Sequence, residues 1–209
     1  HYIMDDAKQV SSYAYEGGVG FAVKNDGSLW SWSSHADAAL GRYVEEEGTY
    51  VAPGKVMDDV AYVSGTMAIR TDGSLWSWGY NEFGAVGNGK TVDQYTPVKI
   101  MDDVVGIWCG RPDKNITHKY ALTADGTLYS WGHNALGQLG YSDGNYTRPM
   151  DPYTWEPAVN CQTVPREVTA LSDVVAVAST PSLVMAQTAD GRLWGLGTNN
   201  NEECGLPDT

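Results

Sequence analysis

The sequence predicts an all-β chain of about four consecutive antiparallel sheets, and three observations carry that prediction. One segment recurs four times without gaps, at residues 21–41, 67–87, 120–140 and 185–205. Each copy centres on an Asp-Gly pair between runs in which apolar and polar residues alternate, as they do in strands. No stretch has the period of an amphipathic helix of any length.

The four copies read FAVKNDGSLWSWSSHADAALG, MAIRTDGSLWSWGYNEFGAVG, YALTADGTLYSWGHNALGQLG and MAQTADGRLWGLGTNNNEECG. Asp26, Asp72, Asp125 and Asp190 are spaced by 46, 53 and 65 residues, a period in the range of solenoids and propellers. Asp-Gly between apolar runs is a hairpin signal, and a two-residue primed turn needs positive φ at both central residues. Tight turns are therefore expected at Asn25-Asp26-Gly27, Thr71-Asp72-Gly73, Ala124-Asp125-Gly126 and Ala189-Asp190-Gly191. Four residues before each Asp stands an alanine: Ala22, Ala68, Ala121 and Ala186. A small residue repeated there marks a crowded place.

After the turn, Leu29, Leu75, Leu128 and Leu193 point to one face. Trp30, Trp76, Tyr129 and Trp194 point to the other, with Trp32, Trp78, Trp131 and Leu196 two residues on. Large aromatics repeating on one face fit one sheet stacked on the next, so Trp32, Trp78 and Trp131 are expected to be buried between sheets. Gly79, Gly84 and Gly87 read as a bend after the strand. Ahead of each copy lies an acidic boundary: Met4-Asp5-Asp6, Met57-Asp58-Asp59, Met101-Asp102-Asp103 and Ser172-Asp173.

This pattern resembles the regulator of chromosome condensation repeat, which reads roughly H-S-L-A-L-T-x-D-G-x-L/V-Y-x-W-G-x-N-x-x-G-Q-L-G. The third copy with its two preceding residues, HKYALTADGTLYSWGHNALGQLG, matches it almost letter for letter. The resemblance covers all four copies and implies a β-propeller with one four-stranded blade per repeat. Departures concentrate at the ends, as in terminal repeats: Ser33, His35 and Ala38 in the first copy, Glu202 and Cys204 in the fourth. The resemblance also implies about seven blades, so this chain is expected to be a fragment or part of a larger ring. Repeats are assigned at about 1–52, 53–98, 99–164 and 165–209 in one propeller-type domain.

Composition narrows the function. The 209 residues carry 26 Asp and Glu against 13 Lys and Arg, a net charge of −13. Such a chain repels nucleic-acid phosphates and anionic membranes and suits a protein partner with a basic surface. No apolar run is long enough to cross a membrane. No nucleophile elbow, phosphate loop or dinucleotide fingerprint appears, so neither a catalytic constellation nor a cofactor is expected. Cys109, Cys161 and Cys204 lack zinc-ligand spacing, and no metal site is expected. Cys109 reads as a strand residue, Cys204 as a small buried hydrophobe, and Cys161 as the most exposed of the three, in a loop. Sequons at Asn115-Ile116-Thr117 and Asn145-Tyr146-Thr147 support an extracellular or cell-surface setting, with a cytoplasmic one as the alternative.

The third link between repeats, about 141–170, is some 15–17 residues longer than the other two and holds four prolines and several aromatics. Long loops of this kind are often functional. Tyr146, Tyr153 and Trp155 are the candidate partner-binding residues, since Tyr and Trp dominate binding hot spots. Packing of the same aromatics on the propeller rim is the competing reading. The function expected is a non-catalytic protein-binding scaffold. The alternatives are a regulator like the guanine-nucleotide exchange factors of the family, a structural assembly subunit whose ring is completed by another copy or further repeats, and a glycan-acting propeller enzyme.

Overall fold

The computed structural model describes residues 1–13, 18–44, 50–110, 117–148, 159–179 and 183–197. The first sheet contains β1 (Ala7–Tyr13), β2 (Val19–Lys24), β3 (Leu29–Ser33) and β4 (Val51–Met57), neighbours in that order. The second repeats the plan with β5 (Val60–Ser64), β6 (Met67–Arg70), β7 (Leu75–Gly79) and β8 (Gln94–Met101). In the third, β9 (Val104–Cys109), β10 (His118–Thr123) and β11 (Leu128–His133) are followed by β13 (Val159–Glu167), and β12 (Tyr146–Arg148) adds a fifth strand outside β13. The described residues of the fourth form β14 (Val174–Ser179), β15 (Leu183–Thr188) and β16 (Leu193–Gly197). All pairings are antiparallel. The result is four blades of a β-propeller in an open arc, not a closed ring.

The expected hairpins are present, but their turns are not the primed type. Gly27 N–H donates to the Lys24 carbonyl at 2.9 Å, and Lys24 N–H to the Ser28 carbonyl at 2.9 Å. Gly27 has φ +84°, while Asp26 is not left-handed. This is a three-residue loop closed by a glycine bulge, and Gly73, Gly126 and Gly191 repeat it. The Asp side chain explains the choice: it folds forward to accept from the residue two positions on. Asp26 Oδ1 takes Ser28 N–H at 2.9 Å and Ser28 Oγ at 2.6 Å, and Asp72 does the same with Ser74. An aspartate so occupied favours its own turn.

Consecutive blades are joined by one recurring device. Asp59, Asp103 and Asp173 sit in the left-handed region, at φ 59°, 61° and 54°, which a short polar side chain tolerates. The valine after each reaches back to the preceding blade's glycine: Val60 N–H to Gly27 O at 2.8 Å, Val104 to Gly73 at 3.0 Å, Val174 to Gly126 at 3.1 Å. The aspartate's own carbonyl accepts from the following hairpin, at Thr71, Ala124 and Ala189. The acidic boundary is thus structural.

Between the blades lie the cores. Phe21, Leu29, Val60, Val63, Ala68 and Trp78 form one of them, while Met67, Leu75, Val104, Ile107, Ala121 and Trp131 form the next. Trp78 Nε1 donates to Ala39 O of the preceding blade at 2.9 Å, and Trp131 Nε1 to Ala85 O at 2.9 Å. The acceptor loop has no room to spare: a Cβ on Gly41 would meet Trp78 Nε1 at 2.8 Å. The repeated alanines face tryptophan or tyrosine across the strand pair, as in Ala22↔Trp30 and Ala68↔Trp76.

Two further expectations fail. Trp32 is only half-buried, because no described blade precedes it to supply a loop. Its indole lies over Gly20 of its own sheet. Cys161 is neither in a loop nor exposed: it lies buried in β13, paired with His133 of β11 and Tyr146 of β12. The long link hides it because the end of that link is the blade's outer strand. Cys109 ends β9, as its apolar run implies; Cys204 lies outside the described residues.

Candidate interaction surface

The turn aspartates are committed to the framework. The Asp26, Asp72, Asp125 and Asp190 carboxyls are held below the usual carboxylate range, chiefly by side-chain hydrogen bonds within their turns. No cluster of three metal-ligating side chains occurs among the described residues. Lys119 is buried on β10 and donates to Thr66 O at 3.3 Å, Ser77 Oγ at 2.9 Å and Trp78 O at 3.5 Å. Burial pushes its ammonium down to about 8 and pushes the nearby Cys109 thiol up. These groups lie inside the blade interface.

The long third link packs much of its described length against the rim. Asn145 clamps the outer strand, accepting Thr163 N–H at 2.9 Å and donating to Thr163 Oγ1 at 2.9 Å. Gly89 N–H of the second blade donates to Thr163 O at 2.8 Å. Tyr141 Oη donates to Ser130 O at 2.8 Å, and burial pushes its hydroxyl up to about 12. The Arg166 guanidinium lies 4.3 Å from the Tyr141 ring centroid and 3.1 Å from the Asp143 carboxylate. Of the three candidate binding residues, Tyr146 is half-buried on the added strand β12. Tyr153 and Trp155 lie outside the described residues.

A second surface was missed in the sequence. Tyr43 and Tyr95 stack face to face, with centroids 5.7 Å apart and planes 11° from parallel, while remaining 75% and 43% exposed. Tyr43 comes from the loop after the first blade's 3-10 turn (Ala38–Leu40), Tyr95 from β8 of the second blade. A sequence signal for half of this pair existed: Tyr50, Tyr95 and Tyr146 each stand two or three residues before a proline, at or near the start of an outer strand or of β12. The partner Tyr43 carries no such mark. Two large aromatics stacked in solvent contribute area the core does not use.

Four repeat blades, with buried polar groups such as Lys119 committed to the blade junctions, define a propeller segment. The regulator of chromosome condensation (RCC1) repeat matches at residues 72–111 and 125–187. The chain belongs to that repeat family. It is 31% identical to the RCC1 domain-containing protein RUG3, mitochondrial, of Arabidopsis thaliana, over 95% of this chain and 44% of the relative. It is 30% identical to the ultraviolet-B receptor UVR8 of the same plant, over 57% of this chain and 28% of the receptor. Among solved structures it superposes on Prp20p from Saccharomyces cerevisiae with a TM-score of 0.76 at 20% identity, covering all of this chain and 49% of that one. The chain therefore spans less than half the length of these proteins. Propeller repeats of this kind serve protein interaction and regulation.

Proposed function

We propose that this chain is a non-catalytic protein-binding scaffold whose contact residues are Tyr43 and Tyr95, together with Tyr146, Tyr153 and Trp155 of the long third link. The observation that carries the reading is the solvent-exposed Tyr43–Tyr95 stack. Tyrosine supplies large contact area at low entropy cost and is enriched in binding hot spots. A net charge of −13 favours a basic partner, mainly through association rate. Prp20p, which has the same fold, has been studied for its binding to Gsp1p and histones, so histones are a fitting basic probe. The two sequons support an extracellular setting; Asn145 donates one amide proton to Thr163 and would keep an N–H after glycosylation.

A second reading, a regulator like the guanine-nucleotide exchange factors that the repeat resemblance implies, takes as its probe Gsp1p, whose binding to Prp20p has been studied. Two assays separate the readings. Core histones are titrated into the wild type and into a Tyr43→Ser/Tyr95→Ser variant, and release of labelled GDP from Gsp1p is followed with and without the chain. The scaffold reading expects saturable histone binding, weakened at least tenfold in the variant, and no accelerated release. Accelerated GDP release favours the regulator; histone binding unchanged in the variant moves the surface away from the stack.

A further inference from the structure

Cys109 and Lys119 stand directly opposite each other on β9 and β10. Their side chains therefore leave the same face of the sheet, with Cβ atoms about 4.5–5.5 Å apart. That face is the seam with the second blade, and both side chains end at one peptide of it. Lys119 Nζ donates to Thr66 O at 3.3 Å, while the Thr66 backbone hydrogen-bonds to the Cys109 sulfur. The neighbouring Gly65 leaves the sulfur room: a Cβ there would stand 3.2 Å from Cys109 Sγ. Tyr13 closes the far side, its ring 3.3 Å from the same point and its hydroxyl 3.3 Å from Thr117 Oγ1.

The two groups differ in access. Cys109 is a half-buried free thiol, whereas Lys119 is 1% exposed. A small oxidant reaches the sulfur, and the amine meets only what is already beside it. Burial holds the Lys119 ammonium down to about 8, so an appreciable share of it is uncharged amine with a lone pair to give. Burial also raises the Cys109 thiol, and the Lys119 charge pulls it back. No second cysteine competes for the sulfur among the described residues. Cys161 lies on β13, three strand positions away in the same sheet. That is about 14 Å at ordinary strand spacing, beyond the reach of a disulfide.

We infer that a hydroperoxide drives a reversible covalent bond between Cys109 Sγ and Lys119 Nζ, a sulfenamide across the β9–β10 pair. The Cys109 thiolate attacks one oxygen of the peroxide and the O–O bond breaks. Sulfur becomes a sulfenic acid, and the peroxide is reduced to water or an alcohol. The Lys119 amine then gives its lone pair to the sulfur. The S–O bond breaks, and the departing hydroxide takes a proton from nitrogen to leave as water. The pair has lost two hydrogens and two electrons, and the peroxide has received them. Sulfenic acids condense in this way even with backbone nitrogens, which are poorer nucleophiles than an uncharged amine. A small thiol reverses the bond by attacking the sulfur and releasing the amine. The new bond draws on the nitrogen that holds Thr66 O, Ser77 Oγ and Trp78 O of the second blade, so oxidation at Cys109 is felt at the seam. The inference stands independently of the tyrosine surface.

The test treats the folded wild type, Cys109→Ser and Lys119→Met with hydrogen peroxide, blocks the remaining thiols without reductant, and reads tryptic peptides by mass spectrometry. Lys114 lies between the two residues in sequence, so cleavage there puts them on separate peptides. The wild type should give the two peptides joined and two hydrogens lighter than their sum, and dithiothreitol should separate them. Cys109→Ser should give no joined pair. Dimedone, which traps sulfenic acids, supplies a second readout: Cys109 labelling should be roughly fivefold higher or more in Lys119→Met, where no amine consumes the sulfenic acid. If Lys119→Met does not fold, the wild-type masses decide alone. A wild type that gives no joined pair overturns the inference. So does a joined pair that keeps a peroxide oxygen, or equal dimedone labelling in the wild type and a folded Lys119→Met.

Discussion

Replacing Trp78 with alanine removes a fully buried indole from the seam between the first two blades. Three losses combine there. The ring leaves a cavity beside Phe21, with which it packs edge-on at 5.8 Å. The Ala39 carbonyl loses the Nε1 donor at 2.9 Å. Gly41, shaped to the indole, is left against empty space. Large aromatic truncations in cores cost about 3–5 kcal/mol, and an orphaned buried acceptor puts this one at the upper end. Trp131→Ala should match it, since the same bond runs to Ala85 at 2.9 Å. Trp32→Ala, at the same place in the repeat but half-exposed, should cost about 1 kcal/mol or less. Trp78→Phe keeps most of the area and loses the bond, for about 1–3 kcal/mol, and remains measurable if the alanine variant does not fold. Urea unfolding followed by circular dichroism gives all four values. Equal losses at Trp32, Trp78 and Trp131 would refute the argument that the neighbouring blade, rather than the strand itself, sets the worth of this tryptophan.

Gly87→Ala should destabilise by about 1–2 kcal/mol or more by the same assay, since a left-handed backbone disfavours a Cβ and that Cβ would meet Trp131 Nε1 at 2.8 Å. Stability should fall in acid: the turn aspartates have folded pKa values below their unfolded ones, so their contribution is present above about pH 4 and lost as pH drops through the folded values. Asp72→Ala should flatten that acid limb in a pH series of urea midpoints. Lys119 acts at the other end: its ammonium is pushed down to about 8 from 10.5, so the unfolded chain holds more protons above pH 8 and stability should rise from there, with the Cys109 thiol, pushed up by burial, working in the opposite direction. Lys119→Met should abolish that rise.

The parts of this molecule legible in the sequence are those that repeat. Four Asp-Gly hairpins, the alternation of Leu29 with Trp30, and the bend glycines each follow from a local rule applied four times. What was hidden depends on neighbours in space. Trp32 and Trp78 read identically along the chain, and only the presence of a preceding blade separates them. The turn type turned on Asp26 preferring its forward hydrogen bonds to a left-handed backbone. Cys161 looked exposed because the long link reads as a loop, yet its last third is the blade's outer strand. The Tyr43–Tyr95 stack joins residues 52 apart in different blades, a contact no local pattern encodes.

The claim that this arc of blades binds protein through Tyr43 and Tyr95 is tested most directly by calorimetric titration of core histones into the wild type and a Tyr43→Ser/Tyr95→Ser variant of unchanged stability. Both residues are exposed enough that the pair should alter unfolding by less than about 1–1.5 kcal/mol. The account predicts saturable heat for the wild type and at least a tenfold weaker association for the variant. Wild-type and variant curves that superimpose, or no heat in either, would contradict it.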